Sequence, residues 1–188
     1  MKLNTFSSTV TIGLLSLLIG GCSSAQLGPA FTNIKKPSSE KALVYVVMTD
    51  NIWLNEGVNF EFYTQDKEKD LHFIGMSINN SYYYKEFEPG DFIFKSNSRM
   101  DQEVKAKLEA GKTYCLDVLP TPYEFYTNVA NLYEGKTKCL ELLQGTHLSI
   151  LDKGFVSEND INYKNFLSQC KKDEDICKQE YLSTQPTQ

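Results

Sequence analysis

Ala42-Leu43-Val44-Tyr45-Val46-Val47-Met48-Thr49 is the stretch of sequence that decides the fold. Both of its faces are apolar, which is typical of a central strand. Shorter segments with strand character follow, at residues 58–63, 71–77, 82–87, 92–96, 104–108, 113–119 and around 138–143. Turn signals such as Glu88-Pro89-Gly90-Asp91 separate these segments. Seven or eight strands at a spacing of roughly ten residues predict an antiparallel β-sandwich, immunoglobulin- or transthyretin-like, over residues 42–144.

Residues 145–182 change character and predict a helical C-terminal segment. Ser157-Glu158-Asn159-Asp160 resembles a helix N-cap followed by acidic residues. Apolar residues then recur at i, i+3, i+4 and i+7, which forms one stripe that we expect to pack on the sandwich; they are Tyr163, Phe166, Leu167 and Cys170. Residues 183–188 are predicted to be disordered.

The amino terminus predicts export. Residues 1–21 contain Lys2 and then an apolar run over residues 10–19, about half of the 20 or so residues that span a bilayer. Ile19-Gly20-Gly21-Cys22 resembles the lipobox of bacterial lipoproteins. The resemblance implies removal of residues 1–21 as a signal peptide and attachment of lipid to Cys22 as an N-acyl diglyceride cysteine. A plain secretory signal with an incidental cysteine is the alternative.

The residues after Cys22 predict where the protein lies. Ser23 follows it rather than Asp, which in a diderm bacterium implies the outer membrane, facing the periplasm. Residues 22–41 are rich in Ser, Gly, Pro, Asn and Lys and show no periodicity. This composition predicts a lipidated, flexible tether.

The sandwich region carries several short motifs in a fixed order: the opening Ala42-to-Val47 strand, Phe73-Ile74-Gly75, Tyr82, Glu88-Pro89-Gly90-Asp91 and Leu108-Glu109-Ala110-Gly111-Lys112-Thr113-Tyr114. In this order, over residues 41–119, they resemble a family of bacterial envelope lipoproteins known only as a domain of unknown function. The resemblance implies a β-sandwich on a lipid anchor, with no established activity and no functional residues to transfer. Cys115 stands where members often carry a second Tyr, which suggests a local disulfide.

Four cysteines remain besides Cys22, and an even number in an exported chain predicts two disulfides with three possible connectivities; they are Cys115, Cys139, Cys170 and Cys177. We favour Cys115–Cys139 and Cys170–Cys177. The second pair requires a helix break within residues 171–175, since seven residues of continuous helix rise about 10.5 Å, beyond the roughly 7 Å limit for bridged Cα atoms. A zinc site is the alternative, but close Cys spacing and a nearby His are lacking, so we predict no metal and no cofactor.

Composition and motifs argue against several function classes. The net charge is −5 and Arg99 is the only arginine, which argues against a nucleic-acid partner. Gly111-Lys112-Thr113 and Gly135-Lys136-Thr137 lack the first Gly of a phosphate-binding loop, so no nucleotide is expected. His72 and His147 lack metal-ligand spacing. We predict a protein that is not an enzyme; a hydrolase with an unrecognised carboxylate pair is a further alternative.

Aromatic residues provide the remaining functional signal. Tyr82, Tyr83 and Tyr84 are interpreted as sandwich core. The candidate surface for a ligand or partner lies instead in predicted loops, because exposed aromatics stack on sugars or anchor proteins; its residues are Trp53, Tyr123, Phe125 and Tyr126. The sequence therefore favours a lipid-anchored binding or accessory module of the envelope, with an envelope protein or glycan as partner. The alternative is a lipoprotein that binds peptidoglycan or surface polysaccharide.

Overall fold

The structure, a computed structural model, describes residues 25–50, 59–96, 103–121, 126–152 and 155–184, with side chains except at 120–130. Strands of the described residues are β1 Ala25–Ala30, β2 Ala42–Met48, β3 Phe60–Gln65, β4 Leu71–Ser77, β5 Ser81–Phe87, β6 Gly90–Ser96, β7 Glu103–Leu108, β8 Thr113–Thr121, β9 Tyr126–Glu134 and β10 His147–Leu151. The helices are α1 Lys136–Leu143, α2 Ile161–Gln169 and α3 Glu174–Thr184. The predicted signal peptide, Cys22, Trp53, Tyr123 and Phe125 lie outside the described residues.

The strands form two sheets that pack as a β-sandwich, which confirms the predicted fold class. Sheet A has the strand order β1-β10-β5-β2-β8-β9, and sheet B has the order β4-β3-β6-β7. Most neighbouring strands are antiparallel. Two pairs in sheet A are parallel, however: β2 with β8, and β10 with β5. The described strands also number ten, more than the seven or eight predicted.

β2 is the central strand that its sequence predicts, buried along its whole length. Alternate side chains from Ala42 to Met48 face sheet B and pack with Phe62 and Phe94 in the main core. The side chains between them face away from sheet B, where α1 and residues 31–34 cover sheet A. Both faces of β2 are therefore apolar because layers of the protein lie on both sides of sheet A.

The prediction of a flexible tether over residues 22–41 is wrong for the described part of that segment. β1 pairs antiparallel with β10, and the chain then crosses the outer face of sheet A. There Phe31 packs edge-on against Tyr82, with ring centroids 5.5 Å apart. The backbone N–H of Lys35 donates to the Tyr45 hydroxyl at 2.8 Å. A few apolar and hydrogen-bonding contacts thus fix a segment whose composition indicated a coil.

The strand predicted around residues 138–143 is wrong, because α1 occupies this segment. Cys139 and Leu143 are four residues apart, the spacing of one helix face, and both are completely buried. Leu140 lies on the other face and is 43% exposed. The period of 3.6 residues therefore describes this segment better than the period of two.

β9 occupies residues between the strands predicted at 113–119 and around 138–143, where the sequence analysis predicts no strand and places Tyr126 in a loop. Its register with β8 shifts between Asp117 and Val118, whose partners are Asn131 and Val129. Ala130 is therefore an extra residue in a β-bulge. The bulge interrupts the alternation within the strand, which explains why the pattern did not predict it.

The helical segment predicted for residues 145–182 begins later than expected, since β10 occupies its start. The N-cap of α2 is Asp160 rather than Ser157. Its Oδ1 accepts the N–H of Asn162 at 2.7 Å, and its Oδ2 accepts the N–H of Phe73 at 2.9 Å. One side chain thus caps α2 and attaches it to β4.

α2 and α3 form a helical hairpin at the carboxyl end. α2 ends at Gln169 and α3 begins at Glu174, which provides the helix break that the favoured disulfide requires. α3 continues to Thr184, so the predicted disorder is wrong for residues 183 and 184, and residues 185–188 lie outside the described part. No helix among the described residues is long and apolar enough to cross a membrane.

Candidate functional site

The two ends of the sandwich differ in how their strands are connected. β2 and β8 run parallel as neighbours, with Met48 opposite Val118. The chain therefore leaves both strands at the same end of sheet A, towards residues 51–58 after β2 and towards residues 122–125 after β8. We call this the loop end; residues that mark it are Met48, Ser81, Ser96 and Thr121. The opposite end, at Ala42 and Phe87, is the turn end.

The topology brings the predicted ligand-binding segments to the loop end. Trp53 belongs to the connection between β2 and β3, and Tyr123 and Phe125 belong to the connection between β8 and β9. Tyr126 is the first residue of β9, where its backbone pairs with Thr121. Trp53, Tyr123 and Phe125 themselves lie outside the described residues. The structure does show that the two connections that contain these residues begin at the same end of the adjacent strands β2 and β8.

Hydrogen bonds fix the described part of the loop end. The Asn79 side-chain amide donates to Asp50 Oδ1 at 3.0 Å, which connects the turn before β5 to the end of β2. The backbone N–H of His147 donates to the carbonyl of Asn80 at 3.0 Å. Ser81 is completely buried, and its hydroxyl donates to the carbonyl of Ile78 at 2.7 Å. The connections of the loop end therefore start from an ordered base.

Asp117 is a buried carboxylate near the loop end that the sequence analysis missed. It lies on β8, two residues after Cys115 and on the same outer face of sheet A. It is 8% exposed, and its Oδ1 has no hydrogen-bond partner in the described structure. Burial raises the pKa of Asp117, and the charge of Lys138 opposes part of that rise. An acidic residue within an otherwise apolar strand was the available signal.

A buried polar cluster joins the C-terminal segment to sheet B. Ser157 donates from its hydroxyl to Glu61 Oε2 at 2.6 Å, and the Tyr63 hydroxyl contacts both residues. The Asn159 amide donates to the Tyr63 oxygen at 3.4 Å. Burial raises the pKa of Tyr63 strongly. Tyr63 is 0% and Ser157 3% exposed, so a substrate has no access to either hydroxyl and the cluster acts as a structural clasp.

A second polar and aromatic cluster lies on the outer face of sheet A. Lys35 places its ammonium group 4.1 Å from the centroid of the Tyr84 ring and also donates to the Tyr84 hydroxyl. The Tyr45 ring lies between Tyr82 and Tyr84, at centroid distances of 6.1 Å and 5.5 Å. Burial raises the pKa of Tyr45 and of Tyr82. These tyrosines hold the chain on the sheet at Phe31 and Lys35. The interpretation as core agrees with the buried Tyr82 and Tyr83, whereas Tyr84 is only partly buried.

An open groove of about 730 Å³ lies at the turn end. Phe92 and Ile93 supply apolar lining, and charged residues of both signs surround them; the charged residues are Asp66, Lys67, Glu68, Asp91, Lys105 and Lys107. His72 Nε2 lies 2.9 Å from Asp66 Oδ2 beside this groove. Three of these residues are acidic and three are basic, so the lining of the groove has no net charge that would select a ligand of one sign.

The structure contains both disulfides that the sequence favoured. Cys115 of β8 is bonded to Cys139 of α1, with Cα atoms 5.4 Å apart. Cys170 is bonded to Cys177, with Cα atoms 6.0 Å apart, across the break between α2 and α3. The first bond ties α1 to the strand that leads to the loop end. Among the described residues, no group of three or more His, Cys, Asp or Glu side chains is arranged to hold a metal ion.

Comparison of the chain with models of known protein families finds no match, and comparison with curated proteins finds none either. The resemblance of residues 41–119 to an envelope lipoprotein family therefore stays a prediction.

Proposed function

We propose that the protein is a lipid-anchored binding or accessory module of the bacterial cell envelope, attached through Cys22 and binding its partner at the loop end. In a diderm host it faces the periplasm from the outer membrane. The observation that carries the proposal is the parallel pairing of β2 and β8. This pairing attaches the connection that carries Trp53 and the connection that carries Tyr123 and Phe125 side by side at one end of the sandwich, as binding proteins commonly place their binding loops.

The surrounding structure supports a binding role for the loop end. At the turn end, connections are short and hydrogen-bonded to the sheets, as at Gly111, whose N–H donates to the carbonyl of Lys41 at 2.9 Å. At the loop end, the Cys115–Cys139 bond ties down β8, which leads to residues 122–125, and the Asn79–Asp50 hydrogen bond ties down the start of the connection that follows β2. Stiff strands reduce the entropy lost on binding.

The first experiment is cross-linking of the lipidated protein in its native envelope, followed by mass spectrometry of what copurifies. Trp53→Ala together with Tyr126→Ala should abolish capture of the partner. Lys67→Ala together with Glu68→Ala, two exposed positions at the turn end, is the matched control and should leave capture unchanged. Equal loss from both double variants, or no loss from either, contradicts the proposal.

A glycan partner is the second candidate, and the aromatic composition of the loop-end connections supports it. Aromatic rings stack on the apolar faces of sugars. Purified protein should then sediment with isolated peptidoglycan or surface polysaccharide, and the Trp53→Ala, Tyr126→Ala variant should remain in the supernatant. A cross-linked protein partner without polymer binding would favour the accessory-module alternative.

A further inference from the structure

β1 is the first described element after the predicted lipid anchor, and the body of the protein holds it firmly. Ala25 is 1% exposed and packs with Met76 and Ile78. At the other end of β1, the N–H of Phe31 donates to the carbonyl of Thr146 at 2.8 Å. β1 is therefore held in sheet A at both of its ends in the folded protein.

The distance from the anchor to β1 is limited by the chain itself. Two residues separate Cys22 from Ala25. Whatever their conformation, three residue steps span at most about 11 Å between Cα atoms. If lipid attached to Cys22 lies in the bilayer, the start of β1 must lie within that distance of the headgroups.

The outer edge of sheet A has the surface that such a position requires. Leu27 of β1 is 50% exposed and Ile150 of β10 is 47% exposed. The side chain of Ile150 packs over Gly28 of β1, so closely that a Cβ atom added at Gly28 would lie only 2.5 Å from Ile150 Cδ1. The register pairs Ile150 with Gln26 and Leu27 with Ser149, so the two apolar side chains lie on opposite faces of this edge.

The charge of this edge differs from that of a comparable strand elsewhere. β1 carries no charged residue, whereas β7, at the edge of the described sheet B, carries Glu103, Lys105 and Lys107. Charged side chains are the common protection of strands that face water. Pro29 lacks an N–H group, which limits pairing of β1 with another strand. β1 itself adds no charge to this edge, and the carboxylate beside it, Asp152, accepts a hydrogen bond from Gln26 Nε2 at 3.1 Å. An edge strand without charged side chains, with Leu27 and Ile150 exposed beside it, fits a lipid surface better than bulk water.

We propose that the β1 edge of sheet A, with Leu27 and Ile150, lies against the membrane that holds the anchor. This inference rests on the proposed lipid attachment at Cys22. The edge contacts the interfacial region of the bilayer. There the apolar side chains insert to the level where the acyl chains begin, and the polar backbone groups contact the lipid headgroups. The strand fixes the orientation of the sandwich, while the lipid provides the attachment.

Depth-dependent fluorescence quenching tests this orientation. The only native tryptophan is removed by Trp53→Phe, so that all tryptophan fluorescence comes from one introduced residue. The lipidated protein is then reconstituted into vesicles of phosphatidylethanolamine and phosphatidylglycerol whose brominated acyl chains quench fluorescence. Leu27→Trp and Ile150→Trp should each lose about half of their emission, since interfacial groups lie roughly 5–10 Å deep. Leu140→Trp on α1 is the matched control, because Leu140 is 43% exposed and α1 packs on β8, four strands away from β1 in sheet A. Its emission should not change.

The outcomes separate this inference from the proposed function. If the protein does not float with the vesicles and Cys22 carries no lipid, the anchor fails, and the inference fails with it. If it floats but positions 27 and 150 are quenched no more than position 140, the inference alone is overturned. Hydrogen exchange of the wild-type chain is a second measurement, in case a tryptophan disturbs folding. Amides of β1 should exchange more slowly on vesicles than in the unlipidated Cys22→Ser chain, and equal rates would also overturn it.

Discussion

Gly75 is the position where a single methyl group should test the packing of the sandwich most sharply. It lies on β4, and the ring of Tyr83 from β5 covers it. A Cβ atom at Gly75 would lie 2.4 Å, 2.6 Å and 2.7 Å from three ring atoms of Tyr83. Tyr83 is 8% exposed and belongs to the main core, so its ring has little room to move. We expect Gly75→Ala to force both sheets apart locally.

Gly90 provides the matched control. Its φ of +157° is nearly that of Gly75, +159°, but the nearest atom to an added Cβ is Phe92 Cε2 at an ordinary 3.8 Å. Any backbone cost of alanine is therefore shared, and the difference between the two variants measures the collision. Overpacking a core costs about 1–3 kcal/mol, so Gly75→Ala should be less stable than Gly90→Ala by about 2 kcal/mol. For a domain of this size that corresponds to roughly 4–8 °C in melting temperature.

The assay is urea unfolding followed by circular dichroism, in the wild-type and in a Tyr83→Leu background. Leucine lacks the ring atoms that meet the new methyl group, so the extra cost of Gly75→Ala should fall to below about 1 kcal/mol there. The cost of Gly90→Ala should be the same in both backgrounds. The reasoning is refuted if Gly75→Ala costs no more than Gly90→Ala, or if the difference persists without the Tyr83 ring.

Three other perturbations act on the clasp, on the buried acid and on the C-terminal hairpin. Ser157→Ala should lower the free energy of unfolding by about 1–3 kcal/mol, because the buried oxygens of Glu61 and Tyr63 lose a hydrogen-bond partner. Hydrogen exchange of the backbone amides in α2 should become faster. Unchanged exchange would contradict the role of this cluster in attaching the C-terminal segment. Asp117→Asn should stabilise the protein at neutral pH. The folded state raises the pKa of Asp117, so the buried charge weakens the fold at neutral pH, and the gain should vanish as pH falls through that pKa. The same change at exposed Asp91 is the control and should leave stability at neutral pH unchanged. Replacing Cys170 and Cys177 by serine should cost about 2.5 kcal/mol by chain entropy, with loss of helical signal and no change of exchange in the central strands.

Local patterns predicted most strands from β2 to β8 because each carries its own signal. β4 matches the expected residues 71–77, and β2 differs from its prediction only at Thr49. The failures concern segments whose structure depends on distant partners. β1 and β10 are short and pair with each other across more than a hundred residues, as Gln26 does with Ile150. Neither strand has enough apolar alternation to be predicted alone.

For the candidate site, too, the sequence predicted the residue types, but not which segments the fold brings together. The sequence analysis chose Trp53 and Tyr123 as candidate binding residues because they are aromatic and lie in predicted loops. These two residues are 70 positions apart in the chain. An antiparallel arrangement of β2 and β8 would have placed these connections at opposite ends of the sheet. The parallel arrangement results because β3 to β7 intervene, forming sheet B and one further strand of sheet A before the chain returns beside β2.

The position of β1 adds a direction to that arrangement. β1 begins with Ala25 opposite Leu151 and ends with Ala30 opposite His147, which lies beside Ser81 at the loop end. The strand therefore runs towards the loop end, and the predicted anchor enters at the end of β1 that lies away from it. Lipid attached there leaves the connections after β2 and β8 free to reach a partner beyond the membrane surface. A binding role for the loop end and a membrane role for the β1 edge are thus geometrically compatible in one molecule.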